Sequence, residues 1–217
     1  MAQGNISDTE REGFYKVLYS RRDIRKFRSG KVPDATVEKI LNAAHAAPSV
    51  GLSQPWRFIM IRSLETRNRV KELFSGVNTD QKIRITDLKR QELYDSLKLE
   101  GIMESDFNLA VVCEPPPEGR FTLGAGTIPQ TIRDSVCLAI QNLWLAARAE
   151  GVGVGWVSIL PQGQIESILE LPPSVQLIAY LCVGYPEEFE DKPMLETIGW
   201  GKRLPLKDLV MTEKWIG

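Results

Sequence analysis

The stretch TIRDSVCLAIQNLWLAARAEGVGVGWVS, Thr131–Ser158, decides how the rest of the chain is arranged. From Val136 to Ala147 it is apolar on most faces, so it reads as a helix running through a core rather than over one. Gly151 supplies the stop. The run after it, Val152–Leu160, reads as a strand. Gly151, Gly153 and Gly155 invite comparison with a dinucleotide-binding turn. That turn needs G-x-G-x-x-G spacing between a strand and the helix that follows. Here the order is helix then strand and the spacing differs. The glycines read instead as a helix stop and a place where backbones approach closely.

Outward from that centre, Ser7-Asp8-Thr9-Glu10 opens a helix that Phe14, Val17 and Leu18 carry to about Ser20. Pro33-Asp34 opens a second, with Val37, Ile40, Leu41 and Ala44 as its buried stripe and Pro48 as its limit. Trp56–Arg62 reads as a strand, Glu65–Phe74 as a short amphipathic helix, Asn108–Glu114 as a buried strand, Gln164–Leu169 as a short helix and Ser174–Pro186 as a buried strand. Residues 75–105 are rich in charge and read as a mobile helical lid, with Leu93, Leu97 and Ile102 as apolar positions. Pro115–Pro129 is a long loop, and loops of that length in compact domains often carry function. The tail 187–217 has little periodicity but holds Trp200, Lys202, Arg203 and Trp215. It reads as an extension that wraps a partner subunit or lies along its own domain. The expected fold class is α+β, one domain over 1–217, with a mixed central sheet flanked by helices.

The 217 residues carry a formal net charge of −1, which disfavours nucleic acid as the main partner. Hydrophobic residues make up 43%, enough for a full core without disulfides or metals. The polar start lacks the apolar region of a secretory signal, and no apolar run reaches the ~20 residues that span a bilayer. Cys113, Cys137 and Cys182 lie apart in apolar stretches and read as reduced thiols of a cytoplasmic protein. With His45 the only histidine, a metal site is rejected.

Two segments offer chemistry. In YSRRDIRKF, Tyr19–Phe27, Arg21, Arg22, Arg25 and Lys26 surround the single carboxylate of Asp23. In an extended chain Arg21, Asp23 and Arg25 share one side and Arg22 and Ile24 the other. Guanidinium forks suit a phosphate, while a solvated face with local ion pairs is the plainer reading. Among arginines, Asp23 is expected to ionise with a lowered pKa. In APSVGLSQPW, Ala47–Trp56, Pro48 and Pro55 stiffen a loop that Gly51 bends, Ser49 and Gln54 offer hydrogen bonds and Trp56 a flat face. Such a loop suits a planar heterocycle such as a flavin, or is a plain turn. Ser158 has no His–Asp pair and reads as a hydrogen-bonding residue at a strand end rather than a hydrolase nucleophile.

Together SRRDIRKF, AAHAAPSVGLSQPWRFI and GWGKRLPLKDLV resemble the phosphate motif, the flavin loop and the C-terminal segment of the nitroreductase superfamily of FMN proteins. With SLKLEGI and QNLWLAARAEGVGVGWVS added, nearly the whole chain resembles that superfamily's 5,6-dimethylbenzimidazole synthase branch. The resemblance implies homodimers with FMN at the subunit interface and a tail that wraps the partner. It implies that reduced FMN is itself the substrate and that O2 fragments it to the benzimidazole ligand of cobalamin and erythrose 4-phosphate. Reduced flavin would come from a separate flavin reductase. The same resemblance places Arg21, Arg22, Arg25 and Arg203 on FMN, lines the ring with Pro48, Ser49 and Gln54, and adds Arg90 and Leu99 from the lid. It makes Asp23 the base, with Ser158 orienting it. An NAD(P)H-dependent nitro- or quinone reductase and a non-enzymatic flavin carrier remain the alternatives.

Overall fold

The protein is described here as a computed structural model covering residues 4–215. Helix α1 (Asp8–Ser20) starts where expected, because Ser7 and Glu10 satisfy each other's backbone N–H groups in a capping box. It buries none of its residues. Helix α2 (Asp34–His45) buries Val37, Ile40 and Ala44. Strand β1 (Trp56–Ile61) leads to α3 (Leu64–Ile83) and α4 (Leu88–Asp95), then to β2 (Phe107–Cys113). Helix α5 (Thr131–Ala149), β3 (Gly153–Val157), α6 (Gln162–Ile168), β4 (Gln176–Gly184) and the short α7 (Met194–Thr197) complete the order.

The strands pair as β1-β2-β4-β3, and every neighbouring pair is antiparallel. Strand β2 is buried along its whole length, as a central strand covered on both faces must be. Its residues alternate between two cores. Phe107, Leu109, Val111 and Cys113 face α2 and the apolar side of α5, with Val136, Ile140, Leu143 and Ala147. Ala110 and Val112 face Val70 and Phe74 of α3 and Ile165 of α6. Helix α5 therefore lies inside the molecule because it has apolar residues for the sheet on one side and for α2 on the other.

A mixed sheet was expected, and its parallel component reduces to one isolated bridge, Asp23 to Val154. The reason lies at Trp156. Its N–H is taken by Asp23 Oδ1 at 2.8 Å and its carbonyl by Arg25 Nη2 at 2.9 Å. Side chains thus occupy the ladder positions that a fifth strand's backbone would fill, and pairing goes no further. The amphipathic helix expected at 65–74 continues to Ile83. Its buried residues, Arg67, Val70 and Phe74, all lie before Ser75. The second half is held by α4 instead, through Tyr94 to Asn78 at 2.6 Å and Lys82 to Asp95 at 2.8 Å. No apolar period marks such a helix.

Gly151 takes φ +71 just beyond α5 and stops it. At Gly155 the requirement is close approach: a Cβ there would be driven into the Ile24 carbonyl oxygen. Gly155→Ala should therefore destabilise the protein by about 3 kcal/mol, the upper end for over-packing, read as a lower urea midpoint. A midpoint unchanged from wild type would mean that the 22–25 segment does not dock on β3.

Candidate active site

The Asp23–Ile24–Arg25 segment lies along the outer edge of β3, with Ile24 N bonded to Val154 O at 3.0 Å. Ile24 is buried, so the residues on either side of it face a cleft. The cleft on one chain holds about 190 Å³, less than the ~300–1,000 Å³ of complete small-molecule sites. Residues 21–26 form one wall. Lys98 and the tail residues Glu187, Glu188, Glu190 and Met194 form much of the rest.

Asp23 accepts hydrogen bonds from Trp156 N and from Arg25 Nη1 at 2.9 Å, and pairs a second time with Arg25 through Oδ2. Its side chain keeps 42% of its surface open to the cleft, whereas that of Arg25 keeps 14%. The Asp23 pKa is raised, which corrects the expectation from charge alone. Desolvation in the concave wall is the largest cause. It outweighs the lowering by Arg25, by the Trp156 N–H and by Arg21. Some surface of Asp23 is open, but the surrounding protein excludes enough water to favour the neutral acid.

Arg21 lies over the Trp144 ring, 4.7 Å from its centroid. Its pKa is lowered, first by burial and then by the charges of Arg22 and Arg203, while Asp23 acts the other way. The tail therefore brings Arg203 close to Arg21. Neither forms an ion pair within 4.0 Å among the described residues. Each guanidinium therefore keeps donors that are not tied to a carboxylate. Arg22 lines the cleft too, but its guanidinium serves the fold. Nη1 donates to Tyr19 O and Arg21 O, each at 2.8 Å, and Nη2 to Asp191 O, which clamps the tail.

The second segment forms a separate half-site. Ser49 Oγ accepts from Gln54 N at 3.1 Å, and Val50 N donates to Ser135 Oγ at 3.1 Å. Trp56 Nε1 donates to His45 Nδ1 at 3.2 Å and ties the loop's two ends. Gly51, Leu52 and Gln54 all have positive φ, which turns backbone groups outward after Pro48. This loop leads into β1, whereas Asp23 lies against β3, and those strands are opposite edges of the sheet. Along α5, Ser135 beside the loop and Trp144 beside Arg21 stand roughly 13 Å apart at about 1.5 Å per residue.

Ser158 follows β3, two residues beyond Trp156 and so on the same side of the strand. It is exposed, and its hydroxyl makes no hydrogen bond among the described residues. Arg90 and Leu99 are not in the cleft. Arg90 stacks on Trp200 at 4.4 Å, and Leu99 packs against the α3–α6 core. Lys98, inside SLKLEGI, does line the cleft and was missed, because lysine in a charge-rich stretch looks like surface. Among the described residues no group of three His, Cys, Asp or Glu could hold a metal. Cys113 and Cys182 are buried, and burial pushes the Cys182 thiol up to about 12. No helix among the described residues is long and apolar enough to cross a membrane.

A flanked antiparallel sheet with a cleft at its edge that is lined by guanidinium groups suits an anionic ligand. The family model described as "Nitroreductase family" matches residues 18–185. The chain belongs to the nitroreductase family. It is 41% identical to a 5,6-dimethylbenzimidazole synthase of Rhodospirillum rubrum, over 94% of this chain and 97% of the relative. Its fold matches an iodotyrosine deiodinase bound to FMN and 3-iodo-L-tyrosine, with TM-score 0.71 and 20% identity over 94% of this chain and all of the other. It also matches a BluB-like flavoprotein from Clostridium difficile 630, with TM-score 0.67 and 20% identity over 92% and 98%.

Inorganic phosphate at ten times its Kd should stabilise the protein by ~1.4 kcal/mol, raising Tm by roughly 3–6 °C. The Arg21→Met/Arg203→Met double variant should show no such rise. An equal rise in that variant would place the anion elsewhere.

Proposed function

We propose that this chain fragments reduced FMN with O2 into 5,6-dimethylbenzimidazole and erythrose 4-phosphate, as a homodimer supplied with reduced flavin by a separate reductase. The observation that carries the proposal is the position of Asp23. A carboxylate with a raised pKa sits in the wall of an anion-binding cleft, oriented by the Trp156 N–H and Arg25. The 41% identity to a 5,6-dimethylbenzimidazole synthase points to the same reaction.

The residues fit FMN. Arg21 and Arg203, lacking carboxylate partners, would hold its phosphate. Arg25 retains donors beyond those given to Asp23 and Trp156 O and would face the ring's polar edge. Pro48, Ser49 and Gln54 would meet the isoalloxazine. Reduced FMN supplies both the electrons that O2 accepts and the carbon framework of the product.

Asp23 takes a proton from the carbon arm that joins ring to phosphate. A carboxylate whose pKa is raised holds a proton more firmly than an ordinary aspartate does. Ser158, two residues beyond Trp156 and just past the end of β3, would orient the carboxylate or the oxygen.

The two half-sites on one chain account for a dimer, in which each subunit lends its 48–54 loop to its partner's cleft. Helix α1 buries nothing and exposes Phe14, Tyr15 and Tyr19. Residues 201–210 are all exposed, with Leu204, Leu206, Leu209 and Val210 among them. Apolar surface on this scale needs a cover, and a second copy supplies one.

The test is one aerobic turnover of chemically reduced FMN with product analysis by mass spectrometry. The benzimidazole is expected. Rapid NADPH oxidation with FMN left intact would instead favour the nitro- or quinone reductase alternative. Asp23→Asn should keep FMN affinity within a few-fold and lower product formation by about 10²–10⁴-fold; undiminished turnover would remove Asp23 from the chemistry. The pH profile follows from the sign of the shift. Activity should fall as pH drops through the Asp23 pKa, at a point above the ~3.9 of an ordinary aspartate. Arg25→Met removes two influences that lower that pKa, so it should move the acid limb higher. A limb at or below ~3.9 in wild type would contradict the assignment.

A further inference from the structure

Helix α4 is short and weakly held. Its eight residues are fewer than the ~12–15 that make an isolated helix even marginal. Tyr94 is its only buried residue. The tyrosine hydroxyl reaches back to Asn78 of α3, and its ring faces the Trp200 ring, centroids 6.1 Å apart. Arg90, one turn earlier on the same face, covers that indole at 4.4 Å. Trp200 belongs to the tail, and the tail is otherwise exposed from Gly201 to Val210. Three residues beyond it stands Arg203, whose charge acts on Arg21.

We infer that Trp200 is a positioning residue, a latch through which the phosphate held by Arg203 and Arg21 orders helix α4. The inference rests on the flavin reading above and adds what the phosphate does beyond affinity. With the anion absent, Arg203 and Arg21 repel each other, and this opposes the tail conformation that seats Trp200. An anion between them reverses the sign of that interaction. The tail is then held at Arg203, the indole is held between Arg90 and Tyr94, and α4 gains its outer cover. Coupling of this kind is reciprocal, so ordering α4 also tightens phosphate binding. The segment after α4 carries Lys98 into the same cleft, so the ordered state is also the one that completes the cleft wall. The phosphate is then the part of the ligand that reports to α4, and a flavin without it fills the ring site while leaving α4 unlatched. Arg90 acts in this device through the indole.

The experiment compares oxidised FMN with riboflavin on the full chain, by flavin fluorescence titration and by hydrogen exchange of residues 88–95. Wild type should prefer FMN, and FMN but not riboflavin should slow exchange in 88–95. Trp200→Ala should cut the FMN-over-riboflavin preference about tenfold and abolish that protection, while riboflavin affinity stays within about two-fold. Trp200→Phe, which keeps an aromatic face, should restore most of both. Equal weakening of FMN and riboflavin by Trp200→Ala, or protection of 88–95 by riboflavin as strong as by FMN, would overturn the latch while leaving the flavin reading intact. Binding of neither flavin by wild type would overturn the flavin reading, and the latch with it.

Discussion

The arrangement depends on how the backbone of Trp156 is satisfied. An edge strand has an N–H and a carbonyl to place at each outward-facing residue, and it usually gives them to water or to another strand. Here Asp23 takes the N–H and Arg25 the carbonyl. Ile24 passes between them into the core, over glycines that leave no room for a side chain. A carboxylate and a guanidinium are thereby fixed at one edge by main-chain contacts, without reliance on their own rotamer preferences. The carboxylate keeps an open side. A conventional fifth strand would have protected the edge equally well, but it would have left no acid–base group facing the cleft.

Charge balance in the cleft follows from that arrangement. Asp23 pairs with Arg25 through two contacts and is also the strongest charge acting on Arg21, ahead of Arg22 and Arg203. Arg22 is spent on carbonyl oxygens. Arg21 and Arg203 form no ion pair among the described residues. The tail glutamates at 187, 188 and 190 line the rim but form no ion pair with either. Four arginines that look alike in sequence therefore do three different jobs: one orients the acid, one clamps the tail, and two await an anion.

Much of this was legible in the sequence, for reasons that can be named. Helix α5 was readable because burial on several sides leaves an apolar run that no surface helix would tolerate. The glycines after it were readable as stop and close approach because their order relative to helix and strand excluded a nucleotide turn. The capping box of α1 was readable because it is local. What escaped was not local. The second half of α3 is held by α4, so it carries no periodicity. Arg67 is buried and donates to the carbonyls of Ile102, Met103 and Ser105, yet a lone arginine in a charged helix gives no sign of that. Arg90, which only the family resemblance placed on the flavin, covers Trp200 of the tail. The sign of the Asp23 shift was misjudged because sequence shows neighbouring charge but not the water that folding removes.

That sign bears on what the cleft is for. A carboxyl whose pKa rises on folding binds its proton more tightly in the native state. Between the unfolded value of ~3.9 and the raised native value, the native protein holds more protons than the unfolded chain, so stability falls as pH rises through that window. Once ionised, Asp23 is therefore a burden on the fold, even with Arg25 and the Trp156 N–H in place. A residue selected for stability alone would be neutral here, since serine or asparagine could also accept from Trp156 without the desolvated charge. Native proteins carry such burdens where chemistry requires them. The same desolvation that weakens the fold makes Asp23 a stronger base than a surface aspartate, so the cost and the use have one physical cause.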